Sequence, residues 1–325
     1  MLLPSVAVLV GLALLVWAAD RFILGASGLA RAAGISPLVV GMVIVGFGTS
    51  SPELAVSTLA SLQGNSGIAI GNVVGSNICN IGLILGISAL IKPVQVQSSI
   101  LRKEMPVCLA IAVLLVLLVL DGDLDRYDGL VLMIGLLALI TWMLRTARSG
   151  SATDPLLVEQ QQELPPAVPM GMAIFWIVLG LALLIGASQL LIWGAVLIAK
   201  GFGVADLVIC LTIVSVGTSL PELAASITGL LKGEDDIAIG NILGSNMFNV
   251  LAILIAPALI SPGLLPDPML LTRDLPFMVG FTALLIAMAA GAFGHRNRIS
   301  RLDGGLLLAG YGGYSLILLS GSATT

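Results

Sequence analysis

Two carboxylates in this chain each stand immediately after a proline, in the middle of a hydrophobic run. They are Glu53 in Gly48-Thr49-Ser50-Ser51-Pro52-Glu53 and Glu222 in Gly217-Thr218-Ser219-Leu220-Pro221-Glu222. An ionisable group at membrane depth costs several kcal/mol unless it has a partner or a task. Proline removes a backbone donor and disfavours helical geometry at the residue before it. Each hexapeptide therefore predicts a helix break that frees carbonyls and hydroxyls, with the next half-helix beginning at Pro-Glu. Irregular backbone at that depth is tolerated only inside protein or along a water-filled cavity. A carboxylate suits a helix N-terminus, and the oxygens behind it are hard-cation donors. The plain alternative is a proline kink with a glutamate snorkelling to the interface. The doubling of the motif at matching places weighs against it.

A second motif, Gly-Asn-x-x-Gly-Ser-Asn-x-x-Asn, occupies 71–80 and 240–249. Ser76 and Asn80 are four residues apart, as are Ser245 and Asn249, so each pair shares a helix face. Asn77 and Asn246 lie about 100° further round. Gly and Asn at such spacing also serve helix packing through close approach and interhelical hydrogen bonds. Beside the glutamates, the motif reads as a second wall of one site. The combined donors are carboxylates, hydroxyls, amides and carbonyls. That set favours Ca²⁺ and Na⁺ over Zn²⁺ or Cu⁺. Two glutamates balance one divalent ion, and the same oxygens can hold monovalent ions instead, which is the chemistry of competitive exchange.

The elements that must carry these residues are apolar helices. Of the 325 residues, 58% are hydrophobic and 10% charged, with a mean hydropathy of +1.11, which indicates an integral membrane protein. Low aromatic content and the lack of ten-residue dyad repeats argue against an outer-membrane barrel. Met1 to Ala19 has no basic leader, and its apolar run continues through Asp20-Arg21, so a retained first helix is expected. Cys79, Cys108 and Cys210 lie in apolar segments and read as packing residues.

Charged, Pro and Gly breaks divide the chain into ten expected spans. They are roughly 4–31, 36–62, 67–91, 104–120, 127–144, 171–199, 206–231, 236–260, 274–293 and 302–320. A polar linker, 145–170, separates residues 1–144 from 171–325. The two halves repeat. Gly34, Thr49, Pro52, Glu53, Asn72, Ser76, Asn77 and Asn80 recur 169 residues later as Gly203, Thr218, Pro221, Glu222, Asn241, Ser245, Asn246 and Asn249. Asp128-Gly129 is answered by Asp303-Gly304. Five spans per half is odd, so the second half must be inserted upside down, giving an all-α membrane fold of two inverted-topology five-helix repeats. With the N-terminus outside, ten Lys/Arg fall in cytoplasmic connections and three in external ones. Both termini are then expected outside, with the linker cytoplasmic. The acidic loop Asp121-Gly-Asp123-Leu-Asp125 faces outward, read as a solvated turn in preference to a cation-gathering one.

GTSSPE with GNVVGSNICN, repeated as GTSLPE with GNILGSNMFN, resembles the calcium/cation antiporter superfamily. The resemblance is closest to prokaryotic sodium/calcium exchangers of the bacterial inner membrane, and it covers the whole chain. It implies that Glu53 and Glu222 are the principal Ca²⁺ ligands, shared with Na⁺. It implies oxygen donors from Thr49, Ser50, Ser76, Thr218, Ser219 and Ser245, and a backbone carbonyl from Ser215. Asn80 and Asn249 correspond to a pair beside the central site. Some relatives carry Asp at the second of these, so Asn249 lowers the negative charge here. The resemblance also implies that the first and sixth helices slide across the rest. Gly25, Ala26 and Gly28 in the first, and Gly186, Ala187, Gly194 and Ala195 in the sixth, suit gliding contact and equally suit tight packing. Asp20-Arg21 reads as a local structural pair in preference to a gate.

The function expected on these grounds is secondary antiport, exporting Ca²⁺ with the Na⁺ gradient and needing no prosthetic group. The expected partners are the two ions and the lipid bilayer, with no nucleic acid and no obligate protein partner. A H⁺-coupled or other divalent-cation exchanger of the same fold is the alternative. Proton-coupled relatives usually place a histidine near the glutamate, whereas His295 lies in a basic connection. A channel does not require the duplication. A hydrolase would need a base beside Ser50 or Ser219, and an ATP-driven pump would need a nucleotide-binding loop.

Overall fold

The computed structural model describes residues 2–149, 168–202, 215–265 and 269–322. The apolar runs form helices α1 (Leu2–Ala33), α2 (Pro37–Thr49), α3 (Ser51–Leu62), α4 (Ser66–Ile91), α5 (Glu104–Leu118) and α6 (Arg126–Ser149). They continue as α7 (Met170–Gly201), α8 (Ser215–Thr218), α9 (Leu220–Leu231), α10 (Asp235–Ile260), α11 (Leu270–Ala290) and α12 (Arg301–Ser322). The two largest boundary shifts are at α6, which runs through Arg145 into the expected linker, and at α11, which starts at Leu270 because a wide π-turn, Leu270–Asp274, precedes its proline. Gly203, Cys210, the start of the expected 206–231 span and most of the linker lie outside the described residues. Among the described residues six helices are long and apolar enough to cross a bilayer, and α2 with α3 would make a seventh across a 45° bend.

Burial sorts these helices into a centre and a rim. The apolar windows of α4 and α10 are 72% and 78% buried inside the protein, against 28%, 22% and 22% for α1, α6 and α7. The helices that carry the Gly-Ser-Asn motifs are therefore shielded by protein, and α1, α6 and α7 meet lipid. Helix α2 crosses α10 at backbone contact. A Cβ on Gly41 would lie 2.6 Å from Ile237 O, and one on Gly46 would lie 2.9 Å from Ser245 N. Only glycine permits that approach.

Helices α1 and α7 have 32 residues each, about 48 Å at 1.5 Å per residue. That exceeds the roughly 30 Å hydrocarbon core, so both must tilt or protrude. They pack antiparallel along their length, with Gly11 against Leu191, Gly25 against Ala173, Gly180 against Phe22 and Gly194 against Pro4. These four glycines are two repeat pairs, Gly11 with Gly180 and Gly25 with Gly194. Of the small residues expected at this contact, Gly25, Ala26, Gly28, Ala187 and Gly194 are buried, Ala195 is half-buried and Gly186 is exposed. Gly11 and Gly180 add close contacts that were not expected, about four turns from Gly25 and Gly194 in the same helices.

The Asp20-Arg21 pair is looser than expected. Asp20 turns to Lys232 Nζ at 2.8 Å, with Arg21 Nε at 3.8 Å. The Arg21 guanidinium lies over Trp17 and Trp176, at 5.8 and 5.2 Å from the ring centroids.

Two short antiparallel strand pairs clasp the halves together: β1 (Val94–Gln95) with β4 (Arg298–Ile299), and β2 (Asp123–Leu124) with β3 (Gly263–Leu264). β1 and β2 flank α5, and β3 and β4 flank α11, so the two clasps lie at opposite ends of those helices. β1 and β3 are repeat counterparts, as are β2 and β4, so each clasp is the image of the other. The same duplication appears in the turns that end α3 and α9, where Gly64 and Gly233 take φ of +76° and +80°. The acidic loop is a self-capped turn: Asp125 Oδ1 accepts from the Tyr127 and Asp128 backbone N–H groups, and Asp128 Oδ2 accepts from Asp125 N.

Candidate cation site

Both expected breaks are present and nearly identical. Ser50 leaves the helix at φ −78°, ψ 7°, and Ser219 at φ −90°, ψ 7°. Proline then occupies the first turn of α3 and of α9, with Glu53 and Glu222 beside it. Hydroxyls bond to the carbonyls around the first break. Thr49 Oγ1 lies 2.9 Å from Val45 O, Ser51 Oγ donates to Gly48 O at 2.7 Å, and Ser245 Oγ donates to Gly46 O at 3.1 Å. Each hydroxyl oxygen keeps lone pairs after donating, so these side chains remain able to face a cation.

The carboxylates are almost wholly enclosed, Glu53 at 1% and Glu222 at 2% exposure. Each is held by the opposite half: Ser50 Oγ donates to Glu222 Oε1 at 3.1 Å, and Ser219 Oγ donates to Glu53 Oε1 at 3.3 Å. The other carboxylate oxygens, Glu53 Oε2 and Glu222 Oε2, are buried with no hydrogen-bond partner. So are Asn80 Oδ1 and Asn249 Oδ1. Buried polar atoms without partners are rare, because each forfeits its hydration. Here four occur as two repeat pairs, and all four are acceptors.

The asparagines are brought in by wide π-turns, Asn80–Leu85 in α4 and Asn249–Ile253 in α10. The first packs on α9, which begins at Leu220 beside Glu222, and the second packs on α3, which carries Glu53. π-turns often mark functional positions within helices. Asn77 and Asn246 join the walls. Asn77 Nδ2 donates to Asn246 O at 3.1 Å and Asn246 Nδ2 to Asn77 O at 3.4 Å. Asn80 Nδ2 donates to Asn246 Oδ1 at 2.9 Å, and Asn249 Nδ2 to Asn77 Oδ1 at 3.0 Å.

A supporting layer lies behind the carboxylates. Asn72 Nδ2 donates to Glu53 O at 3.2 Å and Ser57 Oγ at 2.9 Å. Asn241 Nδ2 repeats this with Glu222 O at 3.1 Å and Ser226 Oγ at 2.8 Å. Sequence reasoning placed Asn72 and Asn241 in the motif without a role, and missed Ser57 and Ser226. The signal was available, since Ser57 and Ser226 keep the same 169-residue offset.

Of the residues expected at the site, Thr49, Ser50, Glu53, Ser76, Asn80, Thr218, Ser219, Glu222, Ser245 and Asn249 are all buried. Ser215 opens α8, and its side chain lies outside the described residues. Cys79 and Cys108 are buried free thiols, and His295 is exposed in its connection.

Chemically, the arrangement is an enclosed, oxygen-lined site whose two carboxylates are each held by a serine of the opposite half. Carboxylates buried in this way need a counter-ion or a proton, and hard oxygen donors suit Ca²⁺ or Na⁺. Known proteins agree with that chemistry. The pattern of the family described as sodium/calcium exchanger protein matches residues 4–145 and 172–320. The chain is 46% identical to a candidate antiporter, CaxA, of Alkalimonas amylolytica, over 98% of this chain and all of that protein. It is 42% identical to the inner membrane protein YrbG of Escherichia coli K12, over 86% of each chain. Its fold superimposes on the sodium-calcium exchanger NCX_Mj with a TM-score of 0.80 and 32% identity, over 96% of this chain and 97% of that one. The chain is a membrane protein of the sodium/calcium exchanger family, in the prokaryotic branch of the calcium/cation antiporters.

Proposed function

We propose that this chain is a secondary antiporter that exchanges Ca²⁺ for Na⁺ by alternating access and uses the inward Na⁺ gradient to export Ca²⁺. The observation that carries the reading is the symmetric set of orphaned acceptors: Glu53 Oε2, Glu222 Oε2, Asn80 Oδ1 and Asn249 Oδ1. Two carboxylates match the charge of one Ca²⁺, and the flanking amide oxygens complete a hard-donor shell. Thr49, Ser50, Ser76, Thr218, Ser219, Ser245 and the Ser215 carbonyl are the further donors in this reading. With one set of charges to share, occupancy by Na⁺ excludes Ca²⁺, which is the coupling an exchanger requires.

The reading extends to topology: ten spans in two inverted five-helix repeats, both termini outside and the linker cytoplasmic. The paired clasps at opposite ends of α5 and α11 support the inversion. Arg31–Glu234, Lys92–Asp235 and the β1–β4 clasp draw on connections that the positive-inside pattern assigns to the cytoplasm. The long antiparallel pair α1 and α7, packed through glycines, supports a sliding element that opens the site to each side in turn.

The test is Ca²⁺ uptake by vesicles holding the purified protein, driven by an opposed Na⁺ gradient or by a pH gradient alone. Uptake that requires Na⁺ upholds the proposal. Uptake driven by the pH gradient without Na⁺ selects a proton-coupled exchanger instead.

A further inference from the structure

We infer that Asn77 and Asn246 are positioning residues, each holding the amide of a ligand asparagine from the opposite half so that its oxygen, and not its NH₂, is left for the cation. The inference rests on the proposed assignment of Asn80 and Asn249 as cation ligands.

Backbone carbonyls, whose role is fixed, set the orientation of these amides. A backbone carbonyl only accepts, so the Asn77 side-chain group facing Asn246 O at 3.1 Å must be its NH₂. That leaves Asn77 Oδ1 as an acceptor, and it takes Asn249 Nδ2 at 3.0 Å. The NH₂ of Asn249 is thereby turned to Asn77, and its Oδ1, at the other end of the amide, stays buried without a partner. The mirrored chain gives the same result. Asn246 Nδ2 faces Asn77 O at 3.4 Å, Asn246 Oδ1 takes Asn80 Nδ2 at 2.9 Å, and Asn80 Oδ1 is left over.

A pair of asparagines serving only to glue helices would satisfy both ends of every amide. Here Asn77 and Asn246 use both ends while Asn80 and Asn249 use one, and the unused end is oxygen on both sides. A flipped Asn80 would set NH₂ against the cation and an oxygen against Asn246 Oδ1. Both contacts then turn repulsive. Because ion–dipole energy scales with ion charge, a flip harms Ca²⁺ more than Na⁺. The lock therefore contributes to the preference for the divalent ion.

The experiment is a double-mutant cycle on the purified full chain in detergent, with Ca²⁺ titrated by calorimetry and Na⁺ by competition. Asn246→Leu removes donor and acceptor at similar volume. It is expected to weaken Ca²⁺ binding about tenfold and Na⁺ binding less. In an Asn80→Asp background either face of the side chain presents oxygen, so the same leucine change should cost less than about threefold. Equal losses in the two backgrounds, or no loss in either, would overturn the inference. If Asn246→Leu does not yield folded protein, the counterpart cycle applies, Asn77→Leu with and without Asn249→Asp. If neither leucine variant folds with or without its aspartate partner, packing alone explains these residues and the inference is wrong. Glu53→Gln in the same titration separates the two levels. Unchanged Ca²⁺ binding there removes the site assignment itself, whereas lost binding with an additive cycle removes only the positioning role.

Discussion

Ser50 donates its hydroxyl to Glu222 across 3.1 Å, although the two residues belong to opposite halves of the chain. Ser219 returns the contact to Glu53 at 3.3 Å. Each proline break thus supplies a carboxylate to the site and a hydroxyl to the other half's carboxylate. The contacts that hold each carboxylate therefore come from both halves of the chain.

Neutralising either carboxylate with little change of shape should separate function from fold. Glu53→Gln and Glu222→Gln are each expected to abolish Ca²⁺/Na⁺ exchange in proteoliposomes. Thermal unfolding in detergent should stay unchanged or rise, because a buried unpaired carboxylate destabilises the ion-free protein. Retained exchange in either variant would remove that glutamate from the site.

The supporting layer should show up in stability. Asn72→Ala deletes two part-buried hydrogen bonds, to a glutamate carbonyl and a serine hydroxyl, and Asn241→Ala deletes the buried counterparts of both together with a third bond, accepted from Thr49 Oγ1. Each change is expected to destabilise by about 2–3 kcal/mol and to lower Ca²⁺ affinity through displacement of the first turn of α3 or α9. Melting temperature and Ca²⁺ titration measure the two effects, and Asn241→Ala, which loses the extra bond to Thr49 at a fully buried position, should cost the more of the two.

The α1–α7 contact predicts a transport defect with binding largely spared. A Cβ on Gly180 would lie 2.8 Å from Phe22 Cα, so Gly180→Leu forces the helices apart at a cost of about 1–3 kcal/mol. Its repeat counterpart Gly11→Leu meets Leu191 N at 3.0 Å and should act similarly. Exchange rate should fall severalfold more than Ca²⁺ affinity, since these glycines lie outside the cation site. A loss confined to affinity would count against a moving α1–α7 pair.

Asp20 offers a contrast. Its ion pair with Lys232 is 2.8 Å long but partly exposed, 43% and 31% for the two side chains. Such pairs contribute about 0–1 kcal/mol. Asp20→Asn is expected to leave the melting temperature within a few degrees of the parent, and a large drop would mark the pair as structural.

Much of this protein was determined by its sequence alone. Long apolar runs dictate helices in a bilayer, because every backbone group must be satisfied internally. A proline inside such a run imposes a break whatever surrounds it, so the geometry at Ser50 and Ser219 was legible locally. The 169-residue offset made the two halves, and the matching of Glu53 with Glu222 and of Asn80 with Asn249, readable without coordinates.

What only the tertiary structure decided is which atoms meet. Ser50 reaches Glu222 and not the nearer Glu53, and β1 pairs with β4 and not β2. Asp20 turns to Lys232 beyond its neighbour, and Asn80 spends its amide on Asn246. These partners are far apart in sequence, and a residue's type and local period carry no record of a partner at that distance. They were set by the close glycine crossing of α2 on α10 and by the packing of α4 and α10 at the centre. Those contacts exist only once both halves have folded against each other.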